Sequence, residues 1–220
     1  MERDKRRGGT NWAPMCFYTD THPLTTVGID VDEVLRSCLP QMVEIYNKEF
    51  NDTKTVDDIT DYDVEKIFPR IWQETGMTAR DWFFKKHNKE IFFDTPAVEK
   101  AKESVECLRY CHAKAVIITK QHGVENKRLT LEWLDKNGIP YDDICFVNDK
   151  SIIRCEYFID DHIDNFENVD ARFGILITAP YNKRPDALER IKKISKCKEV
   201  LRFENINDFS KWYFDEYFEV

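Results

Sequence analysis

Asp30 and Asp32 stand two positions apart in LTTVGIDVD, and Asp160 and Asp161 are adjacent in EYFIDD. Between them along the chain come Thr119, closing AVIIT, and Lys150, in ICFVNDK. Each lies at or just past the end of a short apolar run. Acidic residues end many strands because loops are polar, so no one of them says much alone. Gathered on one rim, four carboxylates would repel one another unless a cation lay among them. Oxygen donors without histidine favour magnesium. A phosphate would complete the charge balance, held by the hydroxyl, the lysine and backbone N–H groups.

The elements that must position these groups are legible as apolar runs. Leu24–Asp30, Ala115–Thr119, Ile144–Asn148, Glu156–Asp160 and Gly174–Thr178 read as strands, with Glu199–Phe203 a weaker sixth. Most are unbroken rather than alternating, which suits a parallel sheet covered on both faces. Helical spacing appears in Val98–His112, in Asn126–Asn137 ahead of Gly138, and in the aromatic-rich Asn207–Tyr217. The alternation predicts an α/β fold with a Rossmann-like, doubly wound parallel sheet, whose ligands bind outside the carboxyl ends of the strands.

Residues 36–96 interrupt that alternation and read as a small helical cap inserted after the first strand. Residues 21–35 and 97–220 then form the core, and residues 1–20 a polar lead-in. The cap segment holds Tyr46, Phe50, Trp72, Trp82, Phe83, Phe84, Phe92 and Phe93. Phe50, Trp72, Trp82 and Phe93 are the candidates for stacking on a flat ring, with the cap's own core as the other use for the same side chains.

A net charge of −8 argues against nucleic-acid backbones or anionic membranes as partners. The basic start, MERDKRRGGTNWAP, lacks the apolar core of a signal peptide, and no run is long enough to span a bilayer. Seven cysteines without a CxxC pair read as reduced thiols, placing the chain in the cytoplasm. Cys107, Cys111 and His112 share helical spacing but lack a second ligand pair, and read as packing rather than metal binding. The sequence leaves the oligomeric state open, a homodimer among the options.

In order and position, IDVDEVL, VIITK, NDK and FIDD resemble the four motifs of the haloacid-dehalogenase-like phosphatase superfamily. Within it the chain looks most like the pyrimidine-type 5′(3′)-deoxyribonucleotidases, through the cap position, IFFDTPAVEKAKESVECL, and ENKRLTLEWLDKNG ahead of NDKSIIRCEYFIDD. Three positions depart from that pattern. Glu33 stands where the family usually has Gly, Lys120-Gln121 where it has a small residue and Pro, and His162 where it has Arg.

The resemblance implies a magnesium-dependent phosphomonoesterase whose substrate is a small phosphorylated molecule, a (deoxy)nucleoside monophosphate. Asp30 would attack phosphorus, and Asp32 would protonate the leaving group and then activate water, touching the metal through its backbone carbonyl. Thr119 would hold a phosphate oxygen, and Asp160 and Asp161 would join Asp30 and Asp32 around the metal. Lys150 would neutralise the phosphoryl group, with Lys127 and Lys120 as its rivals; Lys120 is also placed against the substrate. His122 and His162 follow two of the motifs, where they could contact substrate, and read first as exposed loop residues. A phosphatase for another small ester or a nucleic-acid end, and a non-catalytic binding protein, are the alternatives.

Overall fold

A computed structural model of the chain describes residues 25–218. The lead-in over 1–20, the start of the first strand at Leu24 and Cys16 lie outside those residues. Six strands form one parallel sheet: β1 (Thr26–Ile29), β2 (Lys114–Thr119), β3 (Asp143–Phe146), β4 (Tyr157–Asp160), β5 (Phe173–Ile177) and β6 (Glu199–Phe203). Their order is β3-β2-β1-β4-β5-β6. Ile29 lies beside Ile117 of β2 on one side and Ile159 of β4 on the other. The order therefore reverses at β1, and a crevice opens between the carboxyl ends of β1 and β4.

Alternate strand residues face opposite layers. Val27, Ile29, Ile117, Ile159 and Ile175 join one buried cluster, packed with helices α5 (Ala101–Tyr110), α6 (Gly123–Lys136) and α8 (Ile206–Phe218). Val116, Ile118, Phe158 and Leu176 join another, with α7 (Ala187–Ile194). Gly28 lies in the central strand because a Cβ there would come 2.5 Å from Ile118 Cδ1. Gly138 takes φ 61° just past α6, as its sequence position implies. The expected doubly wound α/β sheet is present, and the weak sixth run is a full strand. Helix α7 has no counterpart in the sequence reading. It is eight residues long; Ala187 and Ile191 are buried and Leu188 and Ile194 pack beside them, a helical spacing that the sequence reading passes over.

Between β1 and β2 lies a helical insertion: α1 (Cys38–Phe50), α2 (Val64–Ile67), α3 (Pro69–Thr75), α4 (Ala79–Asp81) and two π-helical turns, Trp82–Lys86 and Glu90–Asp94. Helix α1 buries Leu39, Met42, Val43, Tyr46 and Phe50, one face of a helix. These meet Ile59, Phe68, Ile71, Trp82, Phe83, Ile91 and Phe92 in a hydrophobic cluster drawn mainly from the insertion, with Leu129 of α6 joining from the core. The chain leaves and re-enters the sheet through two crossings held side by side. Arg36 bridges Ala97, Ser37 N donates to Pro96 O at 3.1 Å, and Val98 N donates to Leu35 O at 2.8 Å. Among the described residues no helix is long and apolar enough to cross a membrane.

Candidate active site

Asp30 follows β1 directly, its N–H donating to Ile159 O at 3.0 Å, so the strand ladder itself fixes where its side chain starts. It is 7% exposed, and its Oδ1 is buried with no hydrogen-bond partner. Asp160, the last residue of β4, and Asp161 are also buried. Each of the three offers an oxygen, and those oxygens lie within 4.8 Å of one another. Among the described residues this is the one cluster of acidic, histidine or cysteine side chains close enough to hold a metal. Asp160 Oδ1 accepts from His162 N–H at 2.9 Å and Asn165 Nδ2 at 2.8 Å. Tyr181 donates its hydroxyl to Asp161 Oδ2.

Lys150 opens a short 3₁₀ turn after β3 and is 2% exposed. Its Nζ lies 2.6 Å from Asp160 Oδ2 and 2.9 Å from Asp30 Oδ2. Burial disfavours its charge, yet Asp160 and Asp30 outweigh that and raise it above the ordinary lysine range. Neither rival pairs with Asp30, although Lys120 lines the same cavity. Lys127 Nζ sits 5.6 Å from the centre of the Phe146 ring, and Lys120 Nζ donates to Asn165 Oδ1 at 2.6 Å. Thr119 ends β2, 1% exposed, and lines the same cavity.

Three buried carboxylates facing one ammonium leave excess negative charge. Burial pushes the Asp30 carboxyl up to about 7, against the pull of Lys150 and with Asp160 and Asp32 adding to the rise. Burial, then Asp160 and Asp30, pushes Asp161 well above the carboxylate range. An orphaned buried oxygen within an all-oxygen donor set fits a hard divalent cation. The donors around it would be Asp30, Asp160 and Asp161. The Asp32 carboxylate stands outside that set.

Asp32 lines the same cavity, its side chain one-third exposed. Its Oδ1 accepts from Arg36 Nε at 2.8 Å, Arg36 Nη2 at 2.6 Å and Cys38 Sγ at 3.2 Å. Its Oδ2 accepts from Gln121 Nε2 at 2.9 Å. Glu33 adopts φ 59°, a left-handed conformation in which glycine is the easier residue, so the departure from the family pattern carries a backbone cost. Its Oε1 accepts from Leu39 N–H at 2.7 Å at the start of α1, and burial pushes its carboxyl up to about 8.

The cavity over these groups brings Asp30, Asp32, Thr119, Lys120, Lys150 and Asp161 together. None of the four aromatics singled out for stacking lines it. Phe50 and Trp82 are buried in the insertion's cluster, their ring centroids 5.5 Å apart. Trp72 is 60% exposed on α3. Phe93 lies under Lys136 Nζ at 4.5 Å. Large rings in a small helical unit are drawn first into its own core, because each removes so much apolar area from water.

The rings that do line the cavity are Tyr62, Phe84, Phe92 and Tyr181. Tyr62 stacks on His162 at 3.6 Å and meets Tyr181 edge-on at 5.6 Å. Phe84 and Phe92 belong to the aromatic run already noted in the sequence, but nothing there separates them from their neighbours. Tyr62 sits between Asp61 and Asp63, and Tyr181 lies far downstream after β5, so neither carries a local signal. His162 lines the cavity rather than open loop surface; His122 is exposed at the start of α6. Arg36 and Asn165 were also invisible, since only the fold shows what they touch; Gln121 stood out in the sequence only as a departure from the family pattern. The six described cysteines are free, and Cys111 packs in the core, as the sequence implied.

Comparison with known proteins agrees with this geometry. Residues 24–204 match the model of the 5′ nucleotidase, deoxy (pyrimidine), cytosolic type C protein family. A 5′(3′)-deoxyribonucleotidase of Clostridium acetobutylicum is 26% identical, covering 84% of this chain and 97% of its own. A protein of the same name from Bacillus subtilis is 23% identical over 75% of this chain and 91% of its own. Among solved structures, a haloacid-dehalogenase family hydrolase from Deinococcus radiodurans superposes with a TM-score of 0.54 at 14% identity. It covers 89% of this chain and 96% of its own.

Proposed function

This chain belongs to the 5′ nucleotidase, deoxy (pyrimidine), cytosolic type C family, and on that premise we propose that it is a magnesium-dependent 5′(3′)-deoxyribonucleotidase acting through an aspartyl-phosphate. It is a phosphatase of the nucleotidase kind; cation, intermediate and substrate are the finer part of the reading. The observation that carries it is the partnerless Asp30 Oδ1, buried beside Lys150 and two further carboxylates at the carboxyl end of the central strand.

Asp30 attacks phosphorus through a carboxylate oxygen as the ester P–O bond breaks, and Asp32 gives the departing alkoxide its proton. Water then attacks the phosphorus, Asp32 takes a proton back, and the Asp30–phosphorus bond breaks to release inorganic phosphate. Lys150 holds Asp30 in line and balances charge on the phosphoryl oxygens, and Thr119 donates its hydroxyl to one of them. Asp30, Asp160 and Asp161 would hold a divalent cation, which would supply the remaining positive charge.

Residues 36–96 serve as the cap, with Tyr62, Phe84 and Phe92 from the cap and Tyr181 from the core beside a flat nucleobase. The free thiols suit a reducing compartment such as the cytoplasm. Phosphate release across nucleoside monophosphates and sugar phosphates tests the reading. Deoxynucleoside monophosphates should give the highest kcat/KM. Preference for an ester without a base would leave the phosphatase and remove the nucleotidase part.

A further inference from the structure

Arg36 carries a full positive charge at 0% exposure, in a position that the chemistry above does not use. Its guanidinium lies between two rings, 5.1 Å from the centre of Phe92 and 5.2 Å from that of Trp133. Two of its N–H groups converge on Asp32 Oδ1, at 2.8 and 2.6 Å. A third donates to Phe92 O at 2.5 Å, and Nη2 also lies 3.4 Å from Thr130 Oγ1 on α6. Its backbone bridges Asp32 on one side and Ala97, in the returning crossing, on the other.

A buried ion pair is weak evidence for stability, because apolar residues of similar volume often serve as well. What a planar, five-donor group supplies there is direction. Oδ1 of Asp32 is taken up by Arg36 and Cys38. Oδ2 keeps one donor, Gln121, and is the oxygen left to exchange a proton with substrate. The same guanidinium holds the carbonyl of Phe92, whose ring lines the cavity.

We propose that Arg36 is a positioning residue for the proton-transferring aspartate: it turns Asp32 so that Oδ2 faces the substrate, and ties that orientation to the segment by which the insertion rejoins the core. The inference rests on Asp32 being the acid–base of the proposed reaction. A lysine keeps the charge but not the fork, so it cannot hold Asp32 and Phe92 O in the same geometry.

The test is single-turnover cleavage by full-length Arg36→Lys and Arg36→Met, with magnesium present, of two esters. One is a deoxynucleoside monophosphate, whose alkoxide must be protonated to leave; the other is 4-nitrophenyl phosphate, whose leaving group needs little help. Misorienting a catalytic group costs about a hundredfold. Cleavage of the nucleotide should therefore fall by about that factor in both variants, and cleavage of the aryl ester by about threefold or less. In an Asp32→Asn background, Arg36→Lys should add almost nothing. The ratio between the two esters does not depend on how much of a variant is folded, so a destabilised protein still gives an answer. Equal losses on both esters, or the same loss from Arg36→Lys with and without Asp32, overturn the proposal. A wild-type protein inactive on both esters would instead remove the phosphatase reading beneath it.

Discussion

Asp30 and Trp82 are both buried and each leaves one polar atom without a partner, Oδ1 in one and Nε1 in the other. The two orphans arise differently. The Trp82 ring packs among Phe50, Phe83 and His87 in the insertion's cluster. Burying about 150–250 Å² of indole at ~25 cal/mol per Å² contributes about 4–6 kcal/mol. That exceeds the roughly 1–3 kcal/mol cost of an unpaired donor, so Trp82 stays in place without a hydrogen bond. Asp30 has no such area to set against its burial. Its neighbours are an ammonium and two more carboxylates, a setting that only an added charged ligand balances. An unpaired atom among closely packed rings is tolerated packing; one among charges marks a place where something binds.

The sharpest way to break this contrast is to change each residue in turn. Asp30→Asn keeps the shape but cannot form an acyl phosphate, so turnover should fall by about 10⁴-fold or more. The melting temperature should hold or rise, since one repelling charge is gone. Wild-type-like turnover would remove Asp30 as nucleophile.

Removing divalent cations should abolish turnover, and added magnesium should restore it. Stability gives an independent reading. Burial raises the Asp30 carboxyl to about 7, above its value of about 4 in an unfolded chain. Between those values the folded protein binds more protons than the unfolded one, so this contribution is present at low pH and lost as pH rises through 7. The metal-free protein should therefore lose melting temperature between roughly pH 5 and 8, and magnesium should offset the loss at the upper end. A metal-free profile that rises over that window, or no response to magnesium at pH 8, would contradict the charge picture.

Trp82→Ala should do the reverse of Asp30→Asn. A cavity of that size costs about 3–5 kcal/mol in denaturant unfolding. The fraction that remains folded should keep its kcat on a small ester, because no atom of Trp82 lines the cavity. A selective loss of nucleotide turnover at unchanged stability would return Trp82 to the substrate site.

The same contrast governs what could be read in advance. Asp30, Thr119 and Asp160 sit at strand ends, where a run's length and direction already fix which side chains reach the crevice. Lys150, one turn beyond its strand, was within reach for the same reason. The insertion has no such ruler. Phe83 and Phe84, and Phe92 and Phe93, are adjacent pairs in two π-helical turns that shift the register, so spacing cannot say which ring of each pair faces the cavity. Tyr62 reaches the site through a turn, and Tyr181 from the far end of the core. Arg36 was silent because a lone arginine beside a helix start ordinarily reads as surface.

The smallest effects separate the cavity's rings from its bystanders. Tyr62 is half-exposed, lies flat on His162 and lines the cavity, so one face of a base can reach it. Losing a base-stacking ring is worth roughly 1–3 kcal/mol. Tyr62→Ala should therefore raise KM for a deoxynucleoside monophosphate about tenfold or more, with little change for a phosphate ester that has no base. Trp72 is a larger and more exposed ring on the same insertion, but it touches no part of the cavity. Trp72→Ala should leave KM unchanged and shift stability by no more than about 0.5 kcal/mol. Size and exposure favour Trp72 as a stacking platform; position favours Tyr62. If Trp72→Ala raises KM for the nucleotide while Tyr62→Ala does not, the base lies over α3 rather than over His162. Equal effects of Tyr62→Ala on both kinds of ester would instead make the Tyr62–His162–Tyr181 group a support for Asp161, to which Tyr181 donates, rather than a contact for the base.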